Sequence, residues 1–218
     1  MSSGAAELIP RLRGTSHAVA FVVALAAASV VIVLAPSGRA AIAVTVYGTA
    51  LVALFGASAL YHRWPGPAHL KPLLRRLDHS MIFVFIAASY TPVSLIVLHG
   101  TLAAVILVLA WCGAGAGVAL SLGWIEASRW LSAACYLALG WIAVIAIPQL
   151  LARMGLTPLL LVAGAGVLYS LGALVYAVQR PDPWPRTFGF HEIFHALVIL
   201  AATAYYIALV GWMLPLAA

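Results

Sequence analysis

The sequence predicts an all-α, polytopic membrane protein: a bundle of seven transmembrane helices, N-terminus cytoplasmic and C-terminus outside. Three observations carry that expectation. Of 218 residues, 65% are hydrophobic and 7% charged, with mean hydropathy +1.12, and a soluble domain offers water far more polar surface. Seven apolar runs reach the roughly 20 residues that a helix needs to cross a bilayer. The basic residues fall mostly on alternate links between those runs.

The runs follow in order. The first, 17–35, comes after Arg11 and Arg13, as the core of a secretory signal would. Its roughly 19 apolar residues are long for a signal core, which favours an uncleaved first span. The second, 40–62, lies between Pro36-Ser37-Gly38 and Pro65-Gly66-Pro67. The third, 79–98, is parted from the fourth, 102–122, by His99-Gly100. The fifth and sixth are 130–150 and 157–178, and Pro181-Asp182-Pro183 precedes the seventh, 190–213. Glycine and proline punctuate each change. The links are short, so one transmembrane domain, 17–213, is expected between a cytoplasmic segment, 1–16, and a tail, 214–218. Internal repeats and low-complexity stretches are absent.

Charge orients the bundle. With the N-terminus inside, the inner segments hold Arg11, Arg13, Arg63, Lys71, Arg75, Arg76, Arg129, Arg180 and Arg186, and the outer ones Arg39 and Arg153. That bias is the positive-inside pattern, and it places the chain in the cell (inner) membrane. The net charge of +6 is therefore a topology signal with some attraction to anionic headgroups. It gives no reason to expect a nucleic-acid partner. Cys112 and Cys135 lie inside apolar runs and suggest neither a disulfide framework nor a thiolate zinc site.

Orientation gathers the polar residues. The second run ends at Ser58-Ala59-Leu60-Tyr61-His62, the third begins at Asp78-His79-Ser80, and the seventh opens with His191 and His195. His62, Asp78, His191 and His195 therefore share a depth near the cytoplasmic face, with Ser58 one turn deeper than His62 on the same helical face. Plainer readings stand beside the functional one. His62 could cap a helix end, Asp78 could be an N-cap, and Ser58 could bond back to the carbonyl of residue 54. His191 and His195 are harder to set aside. Two imidazoles one turn apart in an apolar segment are costly without a partner, and their spacing suits one metal ion.

Other polar residues carry less. His17 and His99 sit near other span ends, His69 is in an inner link, and His79 points about 100° away from Asp78. Trp64, Trp124, Trp130, Trp184 and Trp212 fall near span ends, as interfacial anchors do. Gly113, Gly115, Gly117, Gly164 and Gly166 allow close helix packing; they follow no strand, which excludes a phosphate loop.

His191-Glu192-Ile193-Phe194-His195 has the form of a protease zinc motif with Glu192 as general base. Such a site needs a third ligand, and no His, Asp, Glu or Cys follows His195. His62 is the best-placed earlier residue. Three histidines with one open position make a catalytic zinc arrangement, although imidazoles also suit iron, nickel or copper. Glu192 points off the ligand face and equally suits a first-turn carboxylate facing the helix dipole.

Three ordered motifs carry a family resemblance. Ser58-Ala59-Leu60-Tyr61-His62, then Arg76-Leu77-Asp78-His79-Ser80 with Ala88-Ser89-Tyr90-Thr91-Pro92, then Phe188-Gly189-Phe190-His191-Glu192-Ile193-Phe194-His195 resemble the hemolysin III branch of the progestin and adipoQ receptor family. That family is grouped with alkaline ceramidases in a superfamily of seven-helix proteins. The resemblance implies Zn2+ as cofactor, with His62, His191 and His195 as ligands. It implies that Asp78 holds or activates water at the metal and that Ser58 sits beside that water or the substrate carbonyl. Ser89 stands where many relatives have glycine.

Two functions follow as expectations. One is a zinc-dependent, ceramidase-like hydrolase of a membrane lipid amide or ester, acting in membrane homeostasis, with Asp78 as base and Ser58 as oxyanion donor. The other is a non-enzymatic, receptor-like sensor of membrane state with a structural zinc. A cytolysin, suggested by the family's name, lacks physical support, because no charge-lined span is present.

Overall fold

Gly14, in a left-handed conformation (φ 72°), releases the chain into α1, Thr15–Leu34. Ala35 leaves helical geometry ahead of Pro36, and Trp64 does the same ahead of Pro65, where α2, Arg39–Arg63, ends. The residue before a proline is pushed out of the α region, so both stops are written in the sequence. The computed structural model describes residues 10–36, 38–124 and 127–217. Ser37 and most of the expected N-terminal segment lie outside these, as does Ala218.

A 3-10 turn, Ala68–Leu70, leads into α3, Lys71–Pro92, with Pro72 in its first turn. Proline is pre-shaped for that position and its missing N–H is no loss there. Past Pro92 the span widens into a π turn, Val93–Val97, and breaks at Leu98-His99. α4 then runs from Gly100 to Gly123. The fifth span has two halves, α5, Arg129–Gly140, and α6, Ile147–Met154, joined by a 3-10 stretch, Trp141–Ala146. Pro148, in the first turn of α6, cannot donate to a carbonyl and crowds the preceding turn. Tyr90 of α3 serves the break: its hydroxyl donates to the Gly140 carbonyl (2.5 Å) and accepts from the Ala143 N–H (2.9 Å).

After Gly155 (φ 80°), α7 spans Leu156–Val178. The last span is α8, Phe190–Ala208, prolonged by a π turn, Leu209–Met213, and a 3-10 turn, Leu214–Ala217. Seven helical spans are thus long and apolar enough to cross a membrane, and the described residues form no strand. The third is the central one, with 67% of its apolar window buried against 17% for the fifth and sixth, which leave most of theirs exposed. Phe83 of α3 packs directly on Gly117 of α4, and Leu139 on Gly113, so a side chain at either glycine would collide. Gly115, Gly164 and Gly166 face open space instead.

Boundaries differ from expectation in the third, fifth and last spans, the fifth running on to Met154. α3 starts at Lys71, so Asp78 lies about two turns inside it. The N-cap of α3 is Leu70, and the N-cap reading of Asp78 fails. Lys71, Arg75 and Arg76 lowered the local hydropathy and made helix resemble a link. At the chain's end, Leu214–Ala217 completes the last span rather than leaving it.

Candidate metal centre

His62 occupies the last turn of α2, held there by the Trp64-Pro65 stop. The start of α8 is fixed from two sides. Glu192 Oε2 accepts the Gly189 N–H at 2.8 Å, and Asp182 Oδ1 accepts the Phe190 N–H at 3.1 Å. His191 then falls in the first turn and His195 one turn later on the same face. α1 packs against both α2 and α8, and at the end of the bundle His62 Nε2 lies 3.0 Å from His191 Nε2. Ligand atoms of His62, His191 and His195 all lie within 4.8 Å of one another, a group able to hold a metal ion. Asp78 approaches from α3, its Oδ2 3.9 Å from His62 Nε2.

The donor set fits a divalent ion. His195 is 1% exposed, and its Nδ1 is buried with no hydrogen-bond partner among the described residues. Two Nε2 atoms face each other next to it. Imidazole nitrogens that face each other away from water are satisfied by a shared cation, and nitrogen ligands suit zinc and its neighbours.

Ser58 is buried one turn deeper, but its hydroxyl does not bond back along α2. It lies 2.8 Å from His17 Nδ1 of α1. His17 also stacks on His195, with ring centroids 3.6 Å apart and planes 11° apart. Sequence reasoning set His17 aside as a span-end residue. Depth held the signal, since His17 starts its span at the same end of the bundle as His62, Asp78 and His191. The contact itself depends on how α1 and α8 meet, and a single chain's pattern does not show that.

Glu192 is not aimed at the cluster. Besides its bond to Gly189 N–H, its Oε1 lies 3.8 Å from Arg13. Its place is that of a first-turn carboxylate capping α8 and binding the N-terminal turn. That turn closes the end of the bundle: Arg11 and Leu12 donate their N–H groups to the Arg186 and Thr187 carbonyls, and Gly14 rests on the His62 side chain. His79 turns toward Tyr176, with centroids 6.2 Å apart, and His69 is exposed in the 3-10 turn before α3. His99 is at the other end of α3, where its N–H meets Gln149.

A cavity of about 350 Å³ opens beside the cluster. His17, Ser58, Asp78, His191 and His195 line one end, and Leu150 and Leu159 the other, with mostly apolar walls between. On α7 the lining runs from Leu159 to Tyr176, about 25 Å at 1.5 Å per residue.

Fold and site together define a class: a multi-pass seven-helix membrane protein whose second and last spans join in a histidine cluster able to bind metal. The chain belongs to the haemolysin-III-related family, whose pattern matches residues 8–206. It is 30% identical over 181 residues to Hemolysin-3 of Bacillus cereus, covering 83% of this chain and 80% of that protein. It is 32% identical over 162 residues to the Hemolysin-3 homolog of Bacillus subtilis (strain 168), covering 74% and 73%. Relatives extend to the progestin and adipoQ receptor family. The human monocyte to macrophage differentiation factor is 28% identical over 169 residues, covering 75% of this chain and 67% of that protein.

Proposed function

We propose that the protein is a zinc-dependent hydrolase of a membrane lipid amide or ester, with its centre near the cytoplasmic face of the cell membrane. One observation carries the reading. The cavity reaches the histidine cluster and continues, mostly apolar, for about the length of a long acyl chain. A purely structural zinc has no use for such a space. The basic residues at the cluster's end support the cytoplasmic placement.

Each residue has a task in this reading. His62, His191 and His195 would hold the ion, and Asp78 and Ser58 would serve the reaction. Zinc bound there supplies Lewis acidity, polarising the substrate carbonyl and acidifying a water. Asp78, beside His62, takes the water's proton on its carboxylate and returns it to the leaving amine or alcohol as the carbonyl's C–N or C–O bond breaks. Ser58 donates its hydroxyl proton to the oxygen that gains charge as the carbonyl is attacked. The cavity's walls hold the acyl chain and keep bulk water out, while Gly14 and Arg13 close the end of the bundle.

The test is fatty-acid release from N-acyl and ester lipids by purified wild type and Asp78→Asn, read by mass spectrometry beside metal content. Asp78→Asn should keep its metal and lose about 10²–10⁴-fold in turnover, the usual contribution of a general base. Full turnover in Asp78→Asn with metal bound removes the mechanism. No release from any lipid by metal-loaded wild type returns the protein to the sensor reading.

A further inference from the structure

His17 lies outside the three-histidine group, yet it is 3% exposed and lines the cavity at the cluster's end. Besides an edge-on contact with Phe55, two contacts tie it to the centre: the stack on His195 and the bond to Ser58. The second is unusual for these spans. Ser29, Ser89, Thr91, Ser170 and Thr203 all donate to the carbonyl four residues earlier. That is the local default for a hydroxyl in a membrane helix. Ser58 pairs across helices instead.

We propose that His17 is a positioning residue of the centre, holding the Ser58 hydroxyl and the ring plane of His195 from the first span. The proposal rests on the hydrolase reading for its Ser58 half and on metal binding alone for its His195 half.

The bond to Ser58 has a functional sense. A hydroxyl has one proton to give. If Ser58 donates to His17, only lone pairs face the cavity, which is useless for a developing oxyanion. If His17 donates its Nδ1–H, the Ser58 proton is left for the other side, where the Asp78 carboxylate and the substrate oxygen are its acceptors. His17 with hydrogen on Nδ1 is therefore the form that serves the reaction. The stack answers a second need. Metal-binding histidines are ordinarily oriented by a hydrogen bond at their other nitrogen. His195 Nδ1 is buried without one, and the flat contact of His17 restricts the ring's rotation in its place.

Three variants separate the two tasks. His17→Phe keeps a ring on His195 and loses the donor. His17→Asn keeps an amide donor near the Nδ1 position and loses the ring. His17→Ala loses both. Purified proteins are compared for Zn2+ affinity by chelator competition, for the visible spectrum of the Co2+-loaded form, and for kcat and KM on the best lipid substrate.

His17→Phe should bind Zn2+ as wild type does and keep the Co2+ spectrum, while kcat falls by about 10-fold or more at unchanged KM. His17→Asn should weaken Zn2+ by about 10–100-fold and alter the Co2+ bands, with kcat at saturating metal well above that of His17→Phe. His17→Ala should show both losses. Three variants indistinguishable from wild type overturn the proposal. So does an equal loss of metal and kcat in all three, the mark of damaged packing. If wild type hydrolyses no lipid, the hydrolase reading and the Ser58 half fall together. The zinc and cobalt measurements still decide the His195 half, which stands if Phe spares binding and Asn and Ala do not, and falls otherwise.

Discussion

His62 and His191 are separated by 129 positions in the chain, and their Nε2 atoms stand 3.0 Å apart. Two nitrogens each about 2.0–2.1 Å from one tetrahedral zinc would lie about 3.3 Å apart, so little adjustment is needed to share an ion. The pair joins the last turn of α2 to the first turn of α8, and a shared ion ties the ends of two spans.

Metal content tests that link directly. His62→Ala and His191→Ala should each be purified without the stoichiometric metal found in wild type by elemental analysis. Added Zn2+ should raise the unfolding midpoint of wild type and not of either variant. At 100 times the dissociation constant the ion contributes about 2.7 kcal/mol. Metal retained in both variants would remove the centre.

Tyr90 supports the bundle at a distance from the cluster. Its hydroxyl serves the Gly140 carbonyl and the Ala143 N–H where the fifth span breaks. Tyr90→Phe leaves both without that partner, away from water. The cost should be about 1–3 kcal/mol, read as a lower unfolding midpoint in detergent with metal content unchanged. A midpoint equal to wild type would mean that the 3-10 stretch satisfies itself.

Much of this architecture is legible in the sequence, for physical reasons. Pro36, Pro65 and Pro181 and the glycines stop helices by local sterics, so the number of spans can be read from one chain. His62, Asp78, His191 and His195 could be brought to one depth because each span reverses direction. The start of α3 was hidden because Lys71, Arg75 and Arg76 make a helix turn look like a link, although Pro72 is well suited to a first turn. The break at Trp141–Ala146 was hidden because its residues are as apolar as the helix around them. His17 was hidden because its contacts lie between helices, and hydropathy carries no information on which faces meet.

Glu192 offers a test between cap and base. It accepts the Gly189 N–H and faces Arg13. Glu192→Ala should lower stability by about 0.5–2 kcal/mol, as the loss of a helix-terminal acceptor does, with metal retained. Glu192→Gln keeps an acceptor oxygen, so turnover and most of the stability should survive. Turnover abolished in Glu192→Gln at wild-type stability would instead assign it the protease-like base role.

Orientation can be read by labelling. In a Cys112→Ser/Cys135→Ser background, Arg39→Cys should react with a membrane-impermeant maleimide on intact cells. Arg186→Cys should react only after the membrane is opened. The charge distribution predicts this order. The reverse pattern would put the histidine cluster at the outer face and exclude a cytoplasmic-leaflet substrate.

The cavity gives the sharpest separation of enzyme from structural zinc. Ala165 is 2% exposed and lines the cavity away from the histidines. Ala165→Phe puts a ring where the hydrolase reading puts an acyl chain. Overpacking costs about 1–3 kcal/mol, so the variant should still fold and bind zinc. Turnover of long-chain lipids should fall by at least about 10-fold, and short-chain analogues should be spared, because one lost contact region weighs only on chains that reach it. Equal activity on both chain lengths would show that the substrate does not lie along this cavity, and the observation that carries the hydrolase reading would be lost.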